Sequence, residues 1–402
     1  MAVPSILFTP LAIANGRIVL EHRVVMAPMT RNRGVPLKGV DRTWIPDDVM
    51  ALYYGQRASR GGLLVTEGIP PSLEASGMPC VPGLFHEAQA QGWKRVIDAV
   101  HAKGGYIYAQ LWHAGRATIP HMTGQEVVSA SATAWETDEK FPFRTPDGEK
   151  IAYRDFPPTA MTETHMANTI ADFVKAARLA LDVGFDGVEI NGGNGNLIDQ
   201  FLHSNINVRH DEYGSSPEAR CKFPLDLVAG VVSAVGAANV AIRLEPTCLY
   251  QGTFGIERVE TWSYLCEKIA STYNGNNKLS YVHFIEPRRD RIEVDKSGFR
   301  ESWGLPNISN EPFRSILSKS SIPCISCGGW DGSNLADAVQ AGWDAVVFAR
   351  WFVSNPDLPE RLRLGKGLHD FDRSRFYGSW DGIRENGYVD YPTWAEEEAV
   401  VP

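Results

Sequence analysis

The chain has 402 residues, 44% of them apolar and 22% charged, which is the composition of a soluble globular protein able to bury a large core. Its formal charge of −9 argues against a nucleic-acid partner, since neutralising phosphates needs a basic field that this chain lacks. No apolar run reaches the ~18–20 residues of a membrane span, and the N-terminus lacks the basic region of a signal peptide.

The six cysteines, Cys80, Cys221, Cys248, Cys266, Cys324 and Cys327, are scattered rather than spaced as a disulfide framework. Cys324-Ile325-Ser326-Cys327 has zinc-knuckle spacing but no second pair of ligands downstream. It reads as strand packing, and no metal is expected. A cytoplasmic protein with no membrane partner fits these features best.

Eight short apolar runs rich in β-branched residues predict strands at Val24–Ala27, Leu63–Thr66, Tyr106–Leu111, Gly187–Ile190, Val240–Leu244, Tyr281–Ile285, Ile322–Ser326 and Ala345–Ala349. Helix-period stretches follow most of them. The clearest runs from Glu163 to Val183, where Ile170, Phe173, Ala177, Ala180 and Leu181 form one apolar face and Gly184 ends the helix. Pro217-Glu218 and Pro359-Glu360 each open a helix with proline and an acid in the first turn.

Alternating strand and helix implies parallel strands, and eight such units close most simply into an α/β (β/α)8 TIM barrel, a single domain over residues 1–402. A doubly wound sheet is the rival, but the G-x-G-x-x-G signature is missing after the first strand. Residues 113–160, with Gly124, Pro142, Pro146, Gly148, Pro157 and Pro158, are too long and polar for an ordinary connection. They predict a hairpin or lid excursion after strand three.

In such a barrel the strand C-termini carry the site. They read Pro28-Met29-Thr30, Glu67-Gly68, Gln110-Leu111-Trp112-His113, Arg243-Leu244-Glu245, Gly328-Gly329 and Ala349-Arg350. An isoalloxazine ring needs donors at its pyrimidine edge and a cation near N1, for which Thr30, Gln110 and Arg243 are of the right type. A phosphate needs uncrowded backbone N–H groups, usually from a Gly pair and a helix N-terminus after strands seven and eight, as Gly328, Gly329, Ala349 and Arg350 supply. Taken singly, an arginine at a strand end also serves in an ion pair, and a Gly-Gly pair in a turn.

Strand four runs into Val188-Glu189-Ile190-Asn191-Gly192-Gly193-Asn194-Gly195-Asn196-Leu197, followed by Ile198-Asp199-Gln200-Phe201-Leu202. This segment resembles the substrate-binding motif of the old yellow enzyme family, flavin-dependent reductases of activated alkenes. Ala27–Arg33, Leu63–Gly68, Ala109–Arg116, Asp211–Ser216, Asn355–Leu362 and Gly387–Thr393 look like further family motifs in the same order, so the resemblance covers nearly the whole chain.

The resemblance implies non-covalent FMN reduced by NADPH or NADH, and a small unsaturated carbonyl substrate. Thr30 would tune flavin O4, with the Gly68 backbone and the Pro28-Met29 segment near the ring and Gln110 and Arg243 on the pyrimidine edge. Gly328, Gly329, Ala349 and Arg350 would surround the phosphate. Trp112, Phe284 and Tyr377 would lie near the substrate, whose carbonyl Asn191 and Asn194 would hold.

Two departures matter: Asn191 stands where the family mostly has His, and Asn196 where it mostly has a proton-donating Tyr. A carboxamide still donates hydrogen bonds but is no useful acid at neutral pH. The expected activity is reduction of an enone or enal in specialised metabolism, by a monomer or homodimer. Water, Tyr377, Tyr281 or His113 would then supply the proton. The alternatives are a flavin-dependent isomerase or cyclase, and a flavin-binding or phosphate-binding barrel with little turnover. Plain structural readings are expected elsewhere: His121, His165, His210 and His283 as surface or core residues, Trp303, Trp343 and Trp380 as packing, and Glu67 and Glu245 in buried ion pairs with Arg or Lys.

Overall fold

The computed structural model describes residues 5–145, 148–295, 298–378 and 382–400. Eight parallel strands close into a barrel: β1 (Val24–Met26), β2 (Leu63–Ile69), β3 (Tyr106–Leu111), β4 (Gly187–Gly192), β5 (Val240–Leu244), β6 (Val282–Ile285), β7 (Cys324–Cys327) and β8 (Ala345–Phe348). Each pairs with its neighbours in sequence, and β8 returns to β1. The expected strands are all present, with displaced ends. β2 continues past Thr66 because a register shift between Val65 and Gly68 lets it resume pairing with β3. β7 starts after Pro323, which has no N–H to give a ladder, although its carbonyl still accepts from Val282.

Strand side chains alternate between two environments. Val25, Ala27, Val65, Tyr108, Ala241, Tyr281, Ile325 and Val347 pack together in the barrel interior. Val24, Leu64, Ile107, Ile190, Ile242, Phe284 and Val346 face the helices. An antiparallel hairpin, Leu11–Ile13 with Ile18–Leu20, adds its apolar residues to the interior cluster and so plugs the floor.

The helix α1 (Glu163–Val183) is capped by Thr162, whose hydroxyl accepts the His165 N–H, and is stopped by Gly184 at φ 109°. Its buried face is Met166, Thr169, Phe173, Ala176, Ala177 and Ala180. Ile170 and Leu181, expected on that face, lie at its edge and are half-buried.

Between Trp112 and α1 the chain builds a small core of its own. Trp135 stacks on Tyr153 at 4.3 Å, joined by Ile119, Met122 and Phe141. Lys140 bridges Ala152 antiparallel, and Val128–Ser129 pairs parallel with Thr159–Ala160. Among the described residues no helix is long and apolar enough to cross a membrane.

Candidate active site

The strand period that lines the barrel with apolar residues low down places polar ones on the same side higher up. Glu189, fully buried on β4, accepts Gln110 Nε2 at 2.6 Å and meets His283 Nδ1 at 3.0 Å. Gln110 Oε1 in turn accepts Asn191 Nδ2 at 3.0 Å. Asn196 Nδ2 donates to Asn191 Oδ1 at 3.4 Å and to Gly193 O at 3.0 Å. A polar chain therefore runs from mid-barrel to the mouth, and it contains both asparagines that depart from the family pattern. Burial opposes charge at Glu189 and His283. Their mutual attraction outweighs it, lowering the Glu189 pKa and raising that of His283.

Arg243, from β5, donates to Cys327 Sγ at 3.3 Å, while its Nε has no partner among the described residues. Burial disfavours a Cys327 thiolate, but Arg243 and His283 more than offset this and lower its pKa. Sequence reading assigned Cys327 to packing, which holds for Cys324; Cys327 instead projects inward, two residues past the interior residue Ile325. That period-two spacing was the available signal.

At the ends of β7 and β8 the backbone opens. Gly328 and Gly329 have φ of 103° and 85°, a region costly for other residues. A Cβ on Gly329 would meet nothing within 4 Å, so its N–H is uncrowded. Arg350 follows Ala349; burial and the nearby Arg288 and Arg373 depress its pKa. Pro28, Met29 and Thr30 are half-buried just past β1. Gly68 is close-packed: a Cβ there would lie 3.0 Å from Trp112 Cβ, which explains a glycine against that indole.

Asn194 has φ 57° and its N–H donates to Glu245 at 2.7 Å, leaving its carboxamide without a hydrogen bond among the described residues. The structure thus brings Gln110, Asn191, Asn196 and Arg243 to one mouth, with the Asn194 turn on its rim.

Three expectations are corrected. Phe284 does not face the mouth: strand alternation turns it outward against Phe313 and Trp343, at ring distances of 6.4 and 5.7 Å. Tyr281 lies low in the barrel interior against Tyr108, where burial drives its pKa far up, so it is no proton donor to the mouth. Glu67 and Glu245 form no ion pair with Arg or Lys among the described residues, although both are buried. Beside Glu67, Arg31 spends its donors on Tyr53 and the carbonyls of Arg375, Phe376 and Gly387. Among the described residues the Glu67 carboxylate accepts only the Arg31 N–H, at 3.5 Å, and burial pushes its pKa up to about 7.

His113 is buried with Nε2 3.6 Å from Glu74, which also pairs with His165 at 2.9 Å. Tyr377 is 47% exposed, edge-on to Phe376, with Tyr250 and Arg31 as its electrostatic neighbours. His121 meets Phe156 edge-on and His210 is exposed, while Trp303 and Trp343 pack as expected. Trp380 lies outside the described residues.

The sequence profile of the NADH:flavin oxidoreductase / NADH oxidase family matches residues 6–369. The chain belongs to this family, that of the old yellow enzymes. It is 43% identical over 390 residues to flavin oxidoreductase hxnT of Emericella nidulans, covering 96% of this chain and 97% of the relative. It is 35% identical to 12-oxophytodienoate reductase 7 of Oryza sativa subsp. japonica, covering 96% and 94%. Morphinone reductase in complex with tetrahydroNAD superposes with a TM-score of 0.80 at 37% identity, covering 96% and 97% of the two chains.

This old yellow enzyme homologue is accordingly an FMN-dependent oxidoreductase that works with a nicotinamide nucleotide. Its residues fit the flavin: a buried guanidinium whose Nε has no partner among the described residues, an open Gly328-Gly329 turn, and Arg350 with Arg288 and Arg373 close by. Bound FMN supplies the relay of hydride from nucleotide to acceptor.

Proposed function

We propose that the protein is an ene-reductase, which uses NAD(P)H to reduce the C=C bond of an enone- or enal-type substrate. The observation that carries this reading is the Gln110–Asn191–Asn196 chain beside Arg243: the flavin-edge and carbonyl-binding positions are joined by hydrogen bonds at one mouth. Relatives named as reductases of 12-oxophytodienoate and of morphinone support it.

In this reading Thr30, Gln110 and Arg243 hold the flavin edge, with the Gly68 backbone and Pro28-Met29 beside the ring. Gly328, Gly329, Ala349 and Arg350 take the phosphate. Asn191 and Asn194 hold the acceptor's carbonyl between Trp112 and Tyr377, under the 113–160 excursion. Donors fixed before the reaction stabilise the negative charge that develops on that oxygen.

Asn196 fills the family's tyrosine position with a carboxamide already engaged by Gly193 and Asn191, so it orients its neighbours and gives no proton. The same observation favours a second reading, in which slow protonation lets the enolate rearrange and the enzyme serves specialised metabolism as an isomerase or cyclase. Anaerobic flavin reduction by each nucleotide, followed by reoxidation with cyclohexenone and product analysis for isomers, tests both. Nucleotide reduction without reoxidation by any enone or enal would overturn the reductase.

A further inference from the structure

Beside the Asn194 turn lies a buried group that the mechanism above does not use. Glu245 follows directly on β5, two residues beyond Arg243, and its carboxylate accepts the Asn194 N–H at 2.7 Å. Asp199, in the short helix α2 (Leu197–Leu202), accepts the next N–H of the same turn, that of Gly195, at 2.8 Å. One oxygen of each carboxyl and the Cys248 sulfur all lie within 4.8 Å of one another, and all three residues are buried. Gly193 makes this approach possible: a Cβ there would come to 3.0 Å from Glu245 Cβ and 3.3 Å from Ile285.

We infer that Glu245, with Asp199 behind it, is the proton source for the reduced acceptor, delivering to the carbonyl oxygen held beside Asn194 so that product leaves as an enol. The inference rests on the ene-reductase reading.

Charge balance is the first support. Among the described residues neither carboxyl forms an ion pair with an arginine or lysine: the buried Arg258 close by gives its donors to the carbonyls of Gly255, Pro246, Cys248 and Thr253. Arg243 and Arg288 face Glu245 from β5 and from the loop after β6, the one held by Cys327 and the other by Asp290. Two negative charges so close together in a buried site are costly, and one proton kept between them removes the repulsion.

The other neighbours do not take that proton. The His203 ring, with Nε2 3.3 Å from Asp199, makes no hydrogen bond among the described residues and is kept neutral by burial and by Arg258, Arg116 and Arg220. Burial pushes the Cys248 thiol up, so it stays protonated. Burial, followed for Glu245 by the Asp199 charge, pushes both carboxyls up to about 7, the range in which an acid is both present and willing to donate.

The step balances. Hydride adds to Cβ and the C=C electron pair moves to leave an enolate with its charge on oxygen. The Glu245 O–H bond breaks and an O–H forms on that oxygen. Solvent reprotonates the carboxylate, and the released enol tautomerises in water, losing the oxygen proton and gaining a solvent proton at Cα. That last proton arrives without facial preference.

The test uses the FMN-loaded enzyme and 2-methylcyclohexenone, with flavin absorbance confirming that each variant is folded. The native enzyme should give product nearly racemic at Cα, against a control showing that the pure enantiomer survives the same incubation. Reoxidation should slow as pH rises through about 7. Glu245→Gln should slow it at least tenfold at pH 6 and flatten that profile, with nucleotide reduction unchanged, and Asp199→Asn should move the profile to lower pH by removing the charge behind Glu245. A single Cα enantiomer from the native enzyme, or Glu245→Gln reoxidising at the native rate, overturns the inference. An enzyme that no enone or enal reoxidises fails at the earlier reading instead.

Discussion

The two flanks of the barrel mouth handle charge in opposite ways. At the ends of β7 and β8, Arg350 has Arg288 and Arg373 near enough to depress its pKa and makes no ion pair among the described residues. Past the ends of β4 and β5, Asp199 and Glu245 are buried together, with their pKa values pushed up to about 7. Each cluster is costly by itself. An anionic ligand would relieve the cationic flank, which suits the proposed phosphate site, whereas a proton relieves the acidic flank, which suits the proposed proton source. Arg243 and Cys327 lie between them.

The strongest test of the acidic flank is to make it unnecessary. Asn196→Tyr restores an acid over Cα and should speed cyclohexenone reoxidation by an order of magnitude or more, within the ~10²–10⁴ range of general-acid effects. Nucleotide reduction, which uses no such proton, should stay unchanged. Stopped-flow traces of the two half-reactions decide the matter, and unchanged enone reoxidation would show that a tyrosine at this position delivers no proton to Cα faster than Glu245 delivers one to oxygen.

On the cationic side, Arg243→Leu removes charge-assisted hydrogen bonds worth ~1.5–3 kcal/mol each and should weaken FMN binding by about ten- to a hundredfold in a fluorescence titration. Unchanged affinity and redox potential would remove Arg243 from the flavin edge.

Stability should vary with pH through the acidic flank. The folded pKa values of Asp199 and Glu245 lie above their ordinary range near 4, so the folded state binds these protons more tightly than the unfolded chain does. The stability they contribute is complete at low pH and lost as pH rises towards 7. Asp199→Asn cannot ionise and should melt roughly 2–5 °C higher than the native protein at pH 8, with no gain at pH 4. Equal shifts at both pH values would mean that the pair does not titrate.

The smallest effect is expected between the flanks. Cys327→Ala removes the partner that draws on the Arg243 charge and should raise the flavin midpoint by about 30 mV or less, where 30 mV corresponds to about 1.4 kcal/mol for two electrons. Spectroelectrochemical titration would show it, and a lowered potential would contradict a negatively polarised thiol at this place.

The sequence determined the barrel, because each strand carries its own local signal and eight of them in alternation with helices leave few other closures. It also put Gln110, Asn191 and Arg243 at strand ends, since a residue's place along a strand follows from where its apolar run stops. Which way a side chain points depends on register and on what covers the strand. Phe284 was therefore misplaced and Cys327 underrated, although counting by twos from Tyr281 and Ile325 would have oriented both. The partners of Glu189, Glu67 and Glu245 were not legible at all. His283 lies 94 residues from Glu189, and Glu245 lies 51 residues from Asn194. Only the closed barrel brings such distant groups together, and burial in that company decides whether a carboxyl keeps its proton, pairs with an imidazole or stands alone.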